Sequence, residues 1–513
     1  MRKPTVFRSL LLLAALTGFA CSVGVQAADT FAKQAIDATG PALATDAMDH
    51  PLQPFAGPVS DLDPDPDFGI NGVRDYYLDT PASREGWGLR LFPRPGNAGY
   101  YVLGKHGTGA GTWEAVVVVT DSQGLATRTL YVPTPMFRLD DATFDSANGR
   151  FYFVGGARQS GHADSDFAVT CVDIDTTPAG GPCAGFGTGG TAFIAFNRGG
   201  NNDDVARRVI SRPNLGVLVT GWAKDGTDRY VFAATSLLRA SGGLVTRFGT
   251  NGRFTHDMDS LRDNLDVNVF DIALSNDPDA SARLYIAGNY SRDVARRNYD
   301  GVVLALNAWN GVLDSSFGPG GHGSIQIWLD LGDPATNMSD AVTALAVLAN
   351  GKLAVAGWSV DQAGLDRLML ARIRENGLID INSGFCGNEG KCTPFTSGRS
   401  FWPAAIAERP GNRDLIIAAE NPNNPGVNDE TWQMVFQFSR DGSYRHAATH
   451  HSTHMSGQLE YTVPAALRVT NEDAMIVGTR RYDATTADYD VLLWRLRAND
   501  TIFADMFGGA HAD

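Results

Sequence analysis

The sequence lacks the short motifs that mark the common catalytic sites. It contains no G-x-S-x-G nucleophile elbow, no H-E-x-x-H zinc motif, no phosphate-binding P-loop and no C-x-x-C pair. These absences weaken an enzymatic interpretation without excluding it, because loops that are distant in sequence can still assemble a catalytic site in a folded chain.

Positive charge and long apolar runs are also scarce. The 513 residues include 42 Lys and Arg against 57 Asp and Glu, which gives a net charge of -15. Nucleic acids are bound by basic residues that neutralise phosphates, so we expect no nucleic-acid partner. Beyond the N-terminal segment no stretch approaches the ~20 uninterrupted apolar residues of a membrane helix, so we expect no membrane span.

The N-terminal segment has the three parts of a secretory signal peptide. Residues 1–8 are basic, an apolar run begins at Leu10, and Val25-Gln26-Ala27 forms a small-residue cleavage site. We therefore predict export through a cleaved signal peptide and a periplasmic or secreted protein. The alternative is a lipid anchor at Cys21, but the leucine expected three residues upstream of a lipidated cysteine is absent.

Only five cysteines occur, and four remain after the signal peptide. Cys171 with Cys183, and Cys386 with Cys392, form two pairs that are close in sequence. This spacing predicts two short-loop disulfides in an oxidising compartment.

Glycine-rich loops recur along the chain. The loop around Phe317, "GVLDSSFGPGG", has counterparts around Phe68, Phe186, Phe248, Phe385 and Phe507. The five separations are 118, 62, 69, 68 and 122 residues, and the two large values are close to double the others. Each large gap therefore hides one altered copy, which gives seven units. We expect each Phe to pack between neighbouring units while the glycines turn the chain.

A second landmark gives the same count. Short apolar runs end in a small residue seven times, at Gly104, Gly155, Gly221, Gly288, Gly357, Ala419 and Gly478. Each unit divides into four short runs, rich in β-branched and aromatic residues and separated by turn signals. Such units cannot bury their faces alone, so we predict an all-β fold, a seven-bladed β-propeller of four-stranded antiparallel blades.

The two ends of the repeat region complement each other. The last unit has three strands, whereas "FGINGVRDYYLD" near the start supplies a fourth strand that no unit precedes. We predict that residues 73–78 pair with residues 490–497, so that the ring closes by strand exchange between the N- and C-terminal segments. The predicted domains are a signal peptide (1–27), a partly disordered leader (28–60) and the propeller (61–513).

The repeat also resembles a known family. The phrases "GVLDSSFGPGG" and "DAVTALAVLANGKLAVAGWS" are similar to the delta-60 repeat, a bacterial repeat that is associated with β-propellers of undefined function. The resemblance covers nearly all of residues 61–509 and is strongest in the units around Gly288 and Gly357. It implies a propeller and supplies no catalytic residue.

We expect function to reside on the variable, polar connections between second and third strands. These connections contain aromatic platforms and fork-shaped donors that suit sugars or acidic groups. The candidate ligand-binding residues are Tyr290, Arg292, Arg296, Arg297, Trp358, Arg480, Arg481 and Tyr482. The alternative for each of them is a surface salt bridge with a neighbouring Asp.

Two segments are candidate cation sites. The carboxylates of Asp61, Asp63, Asp65 and Asp67 alternate as in a calcium loop, but prolines intervene and the glycine and bidentate Glu of an EF-hand are missing. If residues 446–454 bend into a loop, His450 and His454 could chelate a metal. Otherwise we expect a solvated loop between the sixth and seventh units. We predict no cofactor, with calcium as the exception that the acidic series would allow.

The sequence therefore favours a secreted, monomeric, non-catalytic binding module for an extracellular glycan or protein, because the units share no acid, base or nucleophile. One alternative is a propeller hydrolase or lyase that acts on an extracellular polymer at the mouth of the central channel. The other is a structural or surface-display protein without a small ligand. Converging carboxylates at the channel mouth would favour the enzyme.

Overall fold

The computed structural model consists almost entirely of β-strands. It describes residues 62–70, 72–78, 85–175, 180–199, 202–227, 229–258, 266–291, 298–332, 338–395, 398–422, 431–450, 461–470, 473–481 and 489–498. The predicted signal peptide, the predicted leader and Phe507 lie outside these ranges. Short 3-10 turns occur at Pro95–Asn97, Pro319–Gly321 and Phe385–Asn388. In the described part of the chain no helix is long and apolar enough to cross a membrane.

The strands form seven antiparallel blades, which confirms the predicted architecture. The described chain starts with β1 (Leu62–Pro64) and β2 (Val73–Tyr76). Blade 1 contains β3 (Gly86–Pro93), β4 (Tyr100–Gly107), β5 (Trp113–Thr120) and β6 (Ala126–Pro133). Blade 2 contains β7 (Met136–Asp145), β8 (Arg150–Ala157), β9 (Asp166–Asp173), the two-residue β10 (Gly181–Pro182) and β11 (Thr191–Ile194). Blade 3 contains β12 (Asp204–Arg212), β13 (Gly216–Lys224), β14 (Tyr230–Leu237) and β15 (Arg253–His256).

The next three blades repeat this order. Blade 4 contains β16 (Val267–Leu274), β17 (Arg283–Ser291), β18 (Tyr299–Asn307) and β19 (Ser324–Ile327). Blade 5 contains β20 (Asp340–Val347), β21 (Leu353–Val360), β22 (Asp366–Ile373) and β23 (Lys391–Cys392). Blade 6 contains β24 (Trp402–Glu408), β25 (Leu415–Pro422), β26 (Thr431–Phe438) and β27 (Tyr444–His450).

Blade 7 combines three late strands with the N-terminal strands. Its own strands are β28 (Tyr461–Val469), β29 (Asp473–Arg481) and β30 (Tyr489–Ala498). On the outer edge, β2 pairs antiparallel with β30, so that Val73 lies opposite Trp494 and Tyr76 opposite Val491. Strand β1 pairs with the end of β30. Strand β2 thus pairs with β30 as the sequence predicted. That this pairing closes the ring stays a prediction.

The small residues of the second landmark lie within the second strands and face a bulge in the first strand. An irregularity interrupts the pairing of first and second strands in all seven blades. A Cβ on Gly221 would lie 2.0 Å from the carbonyl oxygen of Val205, and one on Gly357 would lie 1.8 Å from that of Ala341. The backbone of the bulge therefore leaves no room for a side chain at these glycines, and blade 6 has the smallest side chain, that of Ala419, at this position.

The hydrophobic core lies between adjacent blades. Tyr152 and Phe167 of blade 2 are buried with Val217 and Val231 of blade 3, and equivalent clusters fill the other interfaces. Because both faces of a blade are covered by its neighbours, its central strands are continuous apolar runs rather than alternating ones.

The antiparallel order places successive connections on two opposite faces of the ring. The turn face carries the connections from first to second and from third to fourth strands. The loop face carries the connections from second to third strands and from each fourth strand to the next blade.

On the turn face, five buried phenylalanines join neighbouring blades. Each contacts a glycine in the third-to-fourth turn of the following blade. The pairs are Phe68 with Gly124, Phe186 with Gly242, Phe248 with Gly311, Phe317 with Gly377, and Phe385 with Gly442. Gly377 has a φ of 77°, and a Cβ there would lie 2.7 Å from the Phe317 ring. Blades 1 and 6 have short hairpins in place of this loop, which accounts for the two double separations.

The first strands line the centre of the ring, where each contacts the first strand of the next blade. At the position after the bulge, blades 1 to 4 have charged residues and blades 5 to 7 have alanines. Arg90 donates to both carboxylate oxygens of Asp141, at 2.6 and 3.1 Å, and lies 3.8 Å from Asp271 of blade 4. These central carboxylates are therefore paired with arginine.

Both predicted disulfides are present. Cys171 of β9 is bonded to Cys183 in the loop that follows it, and Cys386 is bonded to Cys392 across the turn-face loop of blade 5. Two structural disulfides in one chain are typical of an oxidising compartment.

Candidate functional site

Two of the predicted ligand-binding residues lie near loop-face ends of second strands, in neighbouring blades. Tyr290, near the end of β17 in blade 4, is buried, and its hydroxyl lies 3.4 Å from Asp300 Oδ2 in β18. Trp358, near the end of β21 in blade 5, is half-buried. Tyr290 packs in the core between blades 3 and 4, whereas Trp358 lies opposite Leu368 on the face of blade 5 that packs against blade 6, so the structure does not bring the two together.

Arg480 lies elsewhere and has a structural partner. Its Nη1 donates to both carboxylate oxygens of Asp75, at 3.2 and 3.0 Å. Because Asp75 belongs to β2 and Arg480 to β29, this ion pair ties the N-terminal strand to blade 7. The salt bridge considered as the alternative for the candidate residues is the arrangement found here.

The structure does not describe the side chains of the other predicted site residues. Five of them lie outside the described residues: Arg292, Arg296, Arg297, Tyr482 and His454. For Arg481 and His450 only the backbone positions are described, at the ends of β29 and β27.

The histidine-rich segment begins in a strand, so the expected loop between blades was wrong for its first part. Tyr444–His450 is the fourth strand of blade 6, where His446 lies opposite Gln437. The turn at Asp441-Gly442 carries the chain directly back along β26. Residues four apart on a strand are ~13 Å from each other, so His446 and His450 cannot share a metal ion.

The acidic series before β2 is neutralised by arginines as far as it is described. Asp65 is buried and lies 3.3 Å from Arg495 and 3.1 Å from Arg497, and Asp67 lies 3.0 Å from Arg497. The side chains of Asp61 and Asp63 lie outside the described residues.

Tryptophan is concentrated on the loop face. Seven of the nine tryptophans lie within three residues of a loop-face strand end: Trp87, Trp113, Trp222, Trp328, Trp358, Trp402 and Trp432. All of these except the exposed Trp328 are half-buried. A half-buried indole presents a fixed apolar surface together with a polar N–H group, which suits ligand binding.

Neighbouring groups hold several of these rings in place. Trp87 stacks on Tyr489 across the junction of blades 1 and 7, with ring centroids 4.6 Å apart. The Nε1–H group of Trp402 donates to Asp366 Oδ2 at 2.6 Å. The loop face therefore offers aromatic platforms whose orientation is set before any ligand binds.

A repeated hydrogen bond latches the blades on the same face. At four successive junctions, an amide at the start of the third strand donates to a side chain just before the first strand of the next blade. The donor and acceptor residues are Ser165 and Asp203, Tyr230 and Asp266, Tyr299 and Ser339, and Asp366 and Ser400.

The next position along both strands differs between junctions. It holds Asp166 and Asp204 beside the hydrogen bond that joins blades 2 and 3, Val231 and Val267 beside the one that joins blades 3 and 4, and Asp300 and Asp340 beside the one that joins blades 4 and 5. Because valines fill the position in the intervening junction, the carboxylate pairs are not part of the repeating framework. A role specific to two junctions is indicated.

The junction between blades 4 and 5 gathers a third carboxylate. Side-chain oxygens of Asp300, Asp330 and Asp340 lie within 4.8 Å of one another. Asp340 accepts the backbone N–H groups of Leu329 at 3.2 Å and of Asp330 at 3.4 Å, which holds the Asp330 turn against the pair. Asp330 has a φ of 50°, a left-handed conformation that Asp and Asn adopt more readily than most residues. Ser359 lies opposite Asp340 in the sheet.

Burial dominates the electrostatics of these pairs. Burial raises the pKa of Asp340 to about 7, although the Ser359 hydroxyl and two backbone N–H groups oppose the shift. Burial raises the pKa of Asp204 to about 8, with an opposing contribution from the Phe196 N–H group and a further increase from Asp166. Such carboxyl groups hold a proton near neutral pH unless a cation offsets their charge. All the donors are oxygens, which Ca²⁺ and Mg²⁺ prefer.

Asp300, Asp330 and Asp340 escaped prediction because they come from three separate elements. The acidic runs that draw attention in the sequence are contiguous, whereas these residues meet only when two blades pack. Two sequence positions could have indicated the site. Asp300 in "YDGVV" and Asp340 in "SDAVT" each stand two residues before the apolar core of a strand, the third strand of blade 4 and the first strand of blade 5. Only an alignment of the units separates these residues from the valines of the preceding junction.

Comparisons with known proteins extend to architecture alone. No family model matches the chain and no curated protein matches its sequence, so the resemblance to the delta-60 repeat stays a prediction. Among solved structures the chain is similar to the β-propeller domain of Vanderwaltozyma polyspora Nup133, with 10% identity, a TM-score of 0.41, and coverage of 83% of this chain and 97% of that one. It is similar to the β-propeller domain of the Trilobed protease from Pyrococcus furiosus, with 9% identity, a TM-score of 0.40, and coverage of 82% and 99%. It is also similar to Trypanosoma rangeli sialidase in complex with the inhibitor DANA, with 9% identity, a TM-score of 0.33, and coverage of 76% and 58%. The seven blades rest on the strand pairing of this chain itself.

Proposed function

We propose that the protein is a secreted, non-catalytic binding module whose loop face binds an extracellular glycan. The observation that carries this proposal is the concentration of half-buried tryptophans at the loop-face strand ends. The C–H faces of sugar rings stack on aromatic rings, and sugar hydroxyls pair with N–H and carboxylate groups. Rings that are fixed before binding lose little side-chain entropy on association.

Export supports the same proposal. Two disulfides fit an oxidising compartment, and the predicted signal peptide would deliver the chain to the periplasm or the medium. We infer a monomer that meets its ligand outside the cytoplasm.

A protein partner is the second candidate, and it is favoured by a different surface. On the turn face, the residue after the turn glycine is an exposed apolar side chain in three blades: Leu125, Val312 and Leu378. Exposed apolar side chains that recur on one face fit a protein interface. A hydrolase or lyase is supported less, because Asp300 and Asp340 are 0% exposed and the described carboxylates at the centre are paired with Arg90.

A glycan array with the purified protein tests the proposal. We expect binding to a restricted set of bacterial or plant saccharides, reduced at least tenfold by Trp358→Ala on the loop face. Trp309→Ala is the matched control, because Trp309 is 37% exposed on the turn face; this variant should bind like the wild type. An array without signal, or equal binding by both variants, would refute the glycan proposal, and capture of a protein that Leu378→Asp abolishes would favour the turn face.

A further inference from the structure

We propose that the junction between blades 4 and 5 is a calcium site in which Asp300, Asp330 and Asp340 supply the carboxylate ligands. The three side chains come from the start of β18, from the connection after β19 and from the start of β20. Their oxygens lie within 4.8 Å of one another, and Asp300 and Asp340 are fully buried. This inference does not depend on glycan binding.

A buried hydroxyl beside the cluster points independently to a ligand. Ser359 Oγ is fully buried, lies opposite Asp340 in the sheet and has no hydrogen-bond partner in good geometry. Asp330 Oδ1 is a second buried oxygen without a hydrogen bond. Buried polar atoms are nearly always satisfied, so two unsatisfied oxygens at one carboxylate cluster indicate a positively charged ligand.

Calcium fits the donor set better than the other common cations. The side chains offer only oxygen, which disfavours zinc, whose sites are usually built from Cys and His. Calcium binds oxygens at 2.3–2.6 Å in flexible geometry, so oxygens on opposite sides of the ion are separated by about 5 Å. Magnesium requires a tighter octahedron, about 4.2 Å across. A divalent ion would also offset the repulsion among desolvated carboxylates.

The junction between blades 2 and 3 provides an internal comparison. There Asn197 stands where Asp330 stands, three residues after the fourth strand, and it has a similar φ of 45°. Ala223 lies opposite Asp204, as Ser359 lies opposite Asp340. That junction therefore has one carboxylate and one hydroxyl fewer than the proposed site.

This comparison supplies variants that the fold already tolerates. Asp330→Asn and Ser359→Ala each introduce the residue that the chain uses at the corresponding place in the other junction. Asp257→Asn is the charge-matched control, because Asp257 is an exposed carboxylate in the connection from β15 to blade 4. Thermal unfolding in EDTA should show that all three variants are as stable as the wild type.

Calorimetric titration of CaCl₂ into the EDTA-treated protein tests the site. We expect the wild type and Asp257→Asn to bind one Ca²⁺ with the same affinity, Asp330→Asn to bind at least tenfold more weakly, and Ser359→Ala to show a smaller loss. Calcium should raise the unfolding temperature of the wild type and not that of Asp330→Asn.

Two results would overturn the inference. One is the absence of binding heat and of thermal stabilisation up to about 10 mM Ca²⁺, above the dissociation constants of weak extracellular calcium modules. The other is unchanged calcium affinity in Asp330→Asn, which would place the ion elsewhere, for example at the acidic series before β2. Neither result bears on the glycan array, whose outcome is read through Trp358.

Discussion

The two faces of the ring use their side chains in opposite ways. On the turn face, buried groups are matched from blade to blade, as in the five contacts between Phe and Gly. On the loop face, six of seven tryptophans are half-buried, and the junctions of blade 2 with blade 3 and of blade 4 with blade 5 have buried oxygens that lack hydrogen bonds. Residues shared by the units hold the ring together, whereas residues that differ between units remain available for ligands.

A charged network on the turn face is also fully paired around its central carboxylate, Asp380. Asp380 binds Lys352 at 2.8 Å, Arg372 at 2.7 Å and Arg374 at 3.0 Å. Burial opposes the ionisation of Asp380, but these three cations outweigh it and lower its pKa to about 2. On the loop face, burial of Asp340 outweighs the hydrogen bonds that it accepts and raises its pKa.

The largest expected effect comes from removal of the N-terminal strands. A chain that starts at Glu85 lacks β1 and β2, so the edge of β30 is exposed and the ion pair of Arg480 with Asp75 is lost. We expect loss of the soluble monomer, measured by size-exclusion chromatography and thermal unfolding. A chain that starts at Leu62 is the control and should remain folded. If the shorter chain were monomeric and melted like the control, closure by strand exchange would be refuted.

The second effect is a core substitution on the turn face. Phe317→Ala leaves a cavity against Gly377 and should lower the free energy of unfolding by about 3–5 kcal/mol. The control is Trp309→Ala on the same face, which removes a contact of Arg247 with the ring at 3.7 Å from its centroid and should cost only about 0.5–1 kcal/mol. Guanidinium denaturation measures both values. Equal losses would contradict the structural role of the shared Phe.

The smallest effect is a pH dependence on the loop face. Asp204 has a folded pKa of about 8, above its unfolded value, so the folded state retains a proton between about pH 4 and pH 8. Stability should therefore fall as the pH rises through this window. Asp204→Asn removes this loss and should be more stable than the wild type at pH 8.5 by at least ~1.4 kcal/mol, the value of one pKa unit. Parallel stability curves for variant and wild type from pH 5 to 8.5, measured in EDTA, would disprove this account.

The sequence could reveal the blade count because close contacts enforce both landmarks. A second-strand glycine that faces the bulge has no room for a side chain, and a turn glycine that touches a buried Phe has none either. These constraints recur in most blades, so the same residues recur at regular intervals in the sequence. The antiparallel strand order and the two disulfides could be predicted from equally local patterns.

The candidate site resisted prediction for the opposite reason. Asp300, Asp330 and Asp340 are unremarkable within their own segments, and their chemistry arises only where two blades meet. Arg480 was a reasonable ligand-binding candidate by residue type, but its guanidinium binds Asp75, a residue far away in sequence. Pairing between distant segments decides which polar residues on the loop face remain available, and no single unit encodes it.

Hydrogen–deuterium exchange with and without the strongest array ligand would test most directly which face binds. We expect slower exchange at loop-face strand ends, such as those that contain Tyr290 and Trp358, and no change at the turn-face pairs of Phe with Gly. Protection confined to the turn face, around Val312 and Leu378, would contradict it.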